Sequence, residues 1–266
     1  MFKKLLAMTF ITTLLLAAPK GTYAATAENY QIDRTALDKG LIAVNYTQNT
    51  DTKTIVRISK GNDNYDYTLT NGAHYPLQRG NGTYSVLIAQ LMSDNKYKVV
   101  SKESIELKLD NENAVFVQSI PLISWNNNTK AVVQMNKLTN AAMTDMEKTA
   151  AIYAYITRNI QYDYEKAQSV KADYIPDLDA IYDSSKGICY DYAALFAAMA
   201  RSQNIPTRLI MGYEASAPTT YHAWNQVFLN GQWVTIDTTY DAVRVQNGED
   251  TPMIKNAADY TITQVY

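Results

Sequence analysis

Three residues of types that cooperate in covalent catalysis occur in the order Cys189, His222, Asp237. Cys189 is the only cysteine among 266 residues. One cysteine cannot make an internal disulfide, and a free thiol on an exported chain is open to oxidation. A small buried hydrophobe is the ordinary alternative for such a residue. The local sequence argues for chemistry. Ser184-Ser185-Lys186-Gly187 reads as a helix entrance with a serine N-cap. Cys189 then falls in the first turn, where unpaired amides and the helix dipole favour an anion. The same amides could receive an oxyanion. Ala193, Phe196, Ala197 and Ala200 share the cysteine's side of this helix. Small residues there allow close packing, so the helix is expected to be central and buried.

A thiol nucleophile needs a base, usually histidine. The chain has two. His74, in Gly72-Ala73-His74-Tyr75, reads as a solvated turn residue. His222 begins the strand-like run that leads to Asn230-Gly231, the strongest short hairpin signal. With these two as the turn, Leu229 faces Gln232. Counting back, Trp224 falls opposite Asp237 and His222 opposite Thr239. Alternation then puts all four side chains on one face. Asp237 becomes the diagonal neighbour of His222, close enough to accept the Nδ1 proton and fix the tautomer. One extra loop residue would turn Asp237 to the other face. Taken singly, His222 and Asp237 read as polar residues on a half-exposed sheet. Together with a helix-start cysteine they form a Cys–His–Asp set. Asp191, in the same first turn as Cys189, is expected to support the helix terminus.

The elements around this set are of two kinds. Up to about residue 120 the chain reads as short strands at 41–46, 54–58, 65–69, 83–88, 97–100, 104–109 and 114–117. They are separated by Gly, Asn and Asp, a pattern that predicts a β-sandwich. Beyond Pro121 helical signals take over. Thr144-Asp145-Met146-Glu147 is a capping box, and Ile152, Ile156 and Ile160 make one apolar stripe. Residues 173–183 read as a connector around Pro176. Strands are expected at 207–213, 222–229 and 232–237. The predicted organisation is a leader at 1–24, a sandwich at 25–120 and a catalytic domain at 121–266.

The leader opens with Lys3 and Lys4, followed by a short apolar run and a small residue at Ala24, the layout of a secretory signal peptide. The run is too short to span a membrane comfortably. Its removal lowers Lys plus Arg from 24 to 21 against 26 acidic residues, so the formal charge moves from −2 to −5. That balance argues against nucleic acid. No stable membrane insertion is expected after cleavage. One cysteine and two distant histidines are too few for a zinc site. No Gly-rich phosphate loop or EF-hand loop is present, so neither metal nor cofactor is expected.

At the reactive words the chain resembles the transglutaminase-like superfamily, relatives of the papain-like cysteine enzymes. The matching words are Lys186-Gly187-Ile188-Cys189-Tyr190-Asp191-Tyr192-Ala193, Asn204-Ile205-Pro206-Thr207-Arg208 with Gly212-Tyr213, His222-Ala223-Trp224-Asn225, and Gly231 to Thr239. The resemblance covers roughly residues 145–245. It implies an α+β fold, with a central helix bearing the thiol packed on an antiparallel sheet bearing histidine and aspartate. With an Ig-like β-sandwich ahead of it, the layout is similar to that of secreted bacterial members. The implied chemistry is acyl transfer through a thioester. Cys189 would be nucleophile, His222 base and later acid, and Asp237 the orienting carboxylate. Tyr162 and Tyr174 are both candidates for an oxyanion donor, and Trp224 could shield the pair or simply pack.

Two classes of function follow. One is a secreted or wall-associated cysteine enzyme that opens peptide or glutamine-type amides in a protein, a peptide or a cell-wall peptide. Within it, hydrolysis is preferred over cross-linking to an amine, because amine transfer needs a site that keeps water out. The other is a non-catalytic surface module, in which the sandwich binds and the second domain is scaffold.

Overall fold

The computed structural model describes residues 30–47, 52–93 and 96–266. The expected leader, residues 1–24, lies outside them. The chain divides into two compact units, one running to Val115 and the other from Phe116 to Tyr266. The architecture is mixed α+β.

The first unit contains β1 (Tyr30–Asp33), β2 (Leu41–Tyr46), β3 (Thr54–Lys60), β4 (Asp63–Thr68), β5 (His74–Pro76), β6 (Gly82–Ser93) and β7 (Lys96–Leu107). They form two antiparallel sheets, ordered β1-β2-β5 and β4-β3-β6-β7. Alternation works as the sequence suggests on β4, where Tyr65 and Tyr67 are buried between exposed neighbours. Tyr67 meets Tyr75 of the other sheet at 5.5 Å between ring centroids. Three expectations are corrected. The runs at 97–100 and 104–109 are one strand, because Ser101, Lys102 and Glu103 keep pairing with β6 across a bulge at Ile88/Ala89. The run at 114–117 lies in a 3-10 helix, Glu112–Val117. There Asn111 Oδ1 accepts the Asn113 amide at 3.0 Å, a local turn that outcompetes extension. His74 is exposed, as expected, but belongs to β5, where it pairs with Ala43.

The second unit begins with α1 (Lys130–Leu138) and α2 (Asp145–Asn159). The capping box of α2 forms: Thr144 Oγ1 accepts the Glu147 amide, and Glu147 returns the bond to the Thr144 amide. Ile152, Ile156 and Ile160 are fully buried. Next come β8 (Gln161–Tyr162), α3 (Tyr164–Ser169), α4 (Leu178–Ser184), β9 (Lys186–Gly187) and α5 (Cys189–Ser202). The expected connector at 173–183 is thus partly helical. Asp177 caps α4 by accepting the Asp179 and Ala180 amides, a signal outweighed by Pro176 in the sequence. The chain ends with β10 (Thr207–Glu214), β11 (His222–Leu229), β12 (Gln232–Ile236), α6 (Thr238–Gln246), β13 (Ile254–Lys255) and β14 (Tyr260–Val265).

Helix α5 is the centre of this unit. From Asp191 to Arg201 every residue of it is buried. The alanines at 193, 194, 197, 198 and 200 let neighbours approach on all sides, and Leu195, Phe196 and Met199 fill between them. Burying each of the large side chains stabilises by about 1.5–3 kcal/mol. The helix packs on β10 and β11 of a five-stranded antiparallel sheet ordered β13-β12-β11-β10-β14, with α1, α2, α4 and α6 around it. Asn225 Nδ2 ties the sheet to the helix by donating to Ala193 O at 3.0 Å. At the far end, buried Arg201 donates to the carbonyls of Thr207, Gln118 and Tyr266 at 2.9–3.0 Å. The Tyr266 carbonyl also accepts the Leu209 amide at 2.8 Å, so the guanidinium, with its five donors, ties three separate segments together through their backbone oxygens.

Candidate active site

Cys189 is the first residue of α5, and Ile188 stands at the N-cap position. The expected serine cap is overturned. Ser184 and Ser185 end α4 instead, Ser185 with a left-handed φ of 52°. The entrance is capped from within the helix: Asp191 Oδ2 accepts the Ile188 amide at 2.9 Å. Asp191 is wholly buried and also accepts from Tyr174 Oη and Lys166 Nζ, each at 2.6 Å. Its approach requires glycine at 187, where a Cβ would sit 2.6 Å from that of Asp191. The carboxylate thus neutralises a lysine, receives a phenol and anchors the turn carrying the thiol. The first-turn amides beside Cys189 have no intrahelical carbonyl partner, so they remain available to a developing oxyanion.

The hairpin forms in the expected register from Leu229↔Gln232 to Asn225↔Ile236. Asn230 and Gly231 take φ values of 51° and 82°, as a type I′ turn requires. The ladder then stops. Asp237 leaves the sheet and caps α6, its Oδ1 accepting the Thr239 and Tyr240 amides at 3.1 and 3.2 Å. The expected pairs Trp224–Asp237 and His222–Thr239 therefore do not exist. The cap replaces them, and Asp237 still reaches His222. Asp237 Oδ2 lies 2.7 Å from His222 Nε2, not Nδ1. Nδ1 is the nitrogen left for the thiol, whose side chain acts on the ring from the start of α5. All three side chains are nearly inaccessible: Cys189 is 7%, His222 6% and Asp237 0% exposed.

Burial is the strongest single influence on the His222 ring and opposes its charge. The charge and hydrogen bond of Asp237, then those of Cys189, outweigh it and raise the pKa to about 10. These partners favour the protonated ring, which rests on the acid through Nε2.

The remaining sequence candidates separate. Tyr162, on β8, pairs with Gly187, two residues before Cys189. Its phenol is pushed up chiefly by burial and next by the charge of Cys189, so it stays a donor. Tyr174 is placed elsewhere, on Asp191 and Lys166, with its ring edge-on to Tyr190. Trp224 is 1% exposed, stacked on His222 at 5.9 Å and tilted against Tyr260 at 4.9 Å between ring centroids. It thus covers the imidazole as well as packing in the core.

Sequence reasoning missed Tyr260, Tyr240 and Lys166. Tyr260 Oη donates to Asp237 Oδ2 at 3.2 Å, and the Tyr240 ring lies 4.7 Å from that of His222. Only Tyr240 had a local signal, since Asp237-Thr238-Thr239-Tyr240 can be read as a helix start. Among the described residues no group of three or more His, Cys, Asp or Glu is placed to hold a metal ion. Nor, among them, is any helix long and apolar enough to cross a membrane.

Residues 134–238 match the family model of the transglutaminase-like superfamily. The kyphoscoliosis peptidases of Mus musculus and Homo sapiens are each 30% identical to the chain over 115 residues, 40% of this chain. The matched part is 17% of the length of those relatives. Among solved structures, a candidate cysteine protease from Cytophaga hutchinsonii aligns over 80% of this chain and 84% of its own, at 17% identity and a TM-score of 0.42. Red sea bream transglutaminase aligns over 80% and 46%, at 11% identity and a TM-score of 0.33.

Proposed function

Because this chain carries a transglutaminase-like domain across residues 134–238, we propose that it is a cysteine-dependent acyl-transfer enzyme that hydrolyses peptide or glutamine-type amides. The observation that carries this reading is the His222 ring bonded to Asp237 at 2.7 Å, with Cys189 at the start of α5 acting on the same ring. The sulfur, as thiolate, attacks the amide carbonyl carbon. The oxyanion forms against the first-turn amides of α5, with the Tyr162 phenol as second donor. His222 gives its Nδ1 proton to the departing amine, and the C–N bond breaks to leave a thioester. Once the sulfur is acylated, its charge no longer holds a proton on His222. The ring can then take one from an attacking water, and collapse of the second tetrahedral adduct returns the proton to sulfur and frees the acid. Asp237 keeps the ring aligned throughout.

Water as acceptor accords with the peptidase name of the 30%-identical relatives. The chain is further proposed to be exported by residues 1–24 and to act outside the cell or at the wall, on protein, peptide or wall-peptide substrates. We assign residues 25–120 to an immunoglobulin-like sandwich and residues 121–266 to the catalytic domain.

Alkylation with iodoacetamide tests the nucleophile. Cys189 is expected to react faster than free cysteine across pH 5–8, and an equal or slower rate defeats the proposal. Trapping the Cys189 acyl-enzyme from a mixed wall and culture-protein digest, then weighing the acyl group, identifies the substrate. Adding a primary amine to the same reaction partitions the thioester between acid and amide. A predominantly amide product would make the enzyme a cross-linker.

A further inference from the structure

We infer that Tyr260 is a positioning residue for this reaction, and that the C-terminal strand β14 completes the site by fixing the orienting carboxylate. The inference rests on the reading of Cys189, His222 and Asp237 given above. It concerns a residue beyond position 238, where the family match ends.

The geometry is that of a carboxylate clamped at both oxygens. Oδ1 of Asp237 holds the amides of Thr239 and Tyr240. Oδ2 holds His222 Nε2 at 2.7 Å and Tyr260 Oη at 3.2 Å. With the phenol in place, Oδ2 cannot turn away from the ring without losing a second bond. The Tyr260 ring also backs Trp224, which stacks on His222. One side chain therefore supports both the acid and the plane of the imidazole.

The sheet is built to let this strand come close. A Cβ at Gly212 would lie 2.0 Å from the Thr261 carbonyl oxygen and 2.9 Å from Trp224. Glycine is therefore required where β10 passes β14, and the register between them shifts at Met211/Gly212. The shift and the missing side chain place Tyr260, opposite Glu214, within reach of Asp237.

The charged and titratable groups facing this pair come from four further elements. Cys189 faces His222 from α5, while Tyr240 on α6 and Tyr153 on α2 face Asp237. Glu214 on β10 and Asp241 on α6 face the Tyr260 phenol. Burial, then the charge of Asp237, push that phenol's pKa far up, so it stays a neutral donor. A neutral donor shares the carboxylate's charge without cancelling it. Removing it concentrates that charge on the imidazolium.

Tyr260→Phe removes one oxygen and keeps the ring on Trp224. The chain has only two histidines, so the His222 ring can be followed by NMR titration without any substrate. In Tyr260→Phe its titration is expected to move to higher pH. On whichever amide the wild type turns over, kcat is expected to fall about 10- to 100-fold at unchanged KM, the loss of a hydrogen bond to a charged group. A His222 titration that stays put or moves down overturns the inference, and so does an unchanged kcat. Sluggish alkylation of Cys189 in the wild type would instead strike at the proposed function, which separates the two failures.

Discussion

Asp237 and Asp241 stand one turn apart on and before α6, and the second unit treats them almost alike. Both are buried, at 0% and 1% exposure. Asp237 receives the Tyr260 phenol at 3.2 Å and His222 at 2.7 Å. Asp241 receives the Tyr153 phenol at 2.9 Å and Lys255 at 2.6 Å. A third cluster repeats the scheme with Asp191, Tyr174 and Lys166. A buried carboxylate with a phenol and a cation is thus the unit's general way of making an inner charge tolerable. What differs is the cation's other neighbour. Lys255 turns to Thr251 Oγ1 and the Pro252 carbonyl, groups whose charge never changes. His222 faces the sulfur that the proposed reaction acylates. The proposed reactivity rests on that coupling, and burial of an ion pair alone would not supply it.

The comparison breaks most sharply at Asp237. Asp237→Asn keeps an N-cap acceptor for α6, since asparagine caps as well as aspartate. The variant should fold, yet lose about 10³- to 10⁴-fold in kcat, as triad acids do. Steady-state kinetics beside a thermal melt would show it, and an active variant would make the two clusters equivalent. Cys189→Ala should abolish thioester formation while leaving the fold intact.

Lys255→Met should do the opposite. It strands the Asp241 carboxylate in the interior, at a cost of about 3–5 kcal/mol. Urea unfolding should register that loss, while kcat per folded molecule stays at the wild-type value. Lost activity in the folded variant would mean that the Asp241 cluster also serves the reaction.

The histidine cluster should leave its mark on pH dependence. The folded ring, at about 10, holds its proton more tightly than an unfolded histidine at 6.5. Its contribution to stability is therefore complete below about pH 6.5 and lost as pH rises through about 10. Unfolding midpoints at pH 6, 8 and 10 should fall for the wild type, and the fall should shrink in His222→Gln. Equal slopes would contradict the coupling.

The smallest effect is expected in the first unit, where the Tyr75 and Tyr84 hydroxyls serve the backbone rather than carboxylates. Tyr84 Oη accepts the Arg79 amide at 2.8 Å and bonds the Leu77 and Gly80 carbonyls at 2.9 and 2.7 Å. Tyr84→Phe should destabilise by about 1–2 kcal/mol and leave turnover alone.

Much of the site was legible because its signals are local. A lone cysteine before an alanine-rich run, an Asn-Gly turn and a two-residue period led to the three side chains of the candidate site. They also gave five pairs of the hairpin in correct register. The misses share one physical cause, competition between local rules. Asp237 could extend β12 or cap α6, and the two amides it satisfies in the cap decided for the helix. Ser184 and Ser185 could begin α5 or end α4, and buried Asp191 took over the capping. Tyr260 and Lys166 gave no signal, because their partners lie far along the chain.

From the chain alone came the identities of thiol, imidazole and acid, because helix starts, tight turns and strand alternation are dictated by neighbours in sequence. Folding chose the rest: which ring nitrogen meets the acid, which tyrosine sides with the sulfur and which with a carboxylate, and how β14 reaches the site. Those outcomes depend on distances between segments that are remote in sequence. Such distances are set by the packing of α5 against its sheet and by the close passage at Gly212.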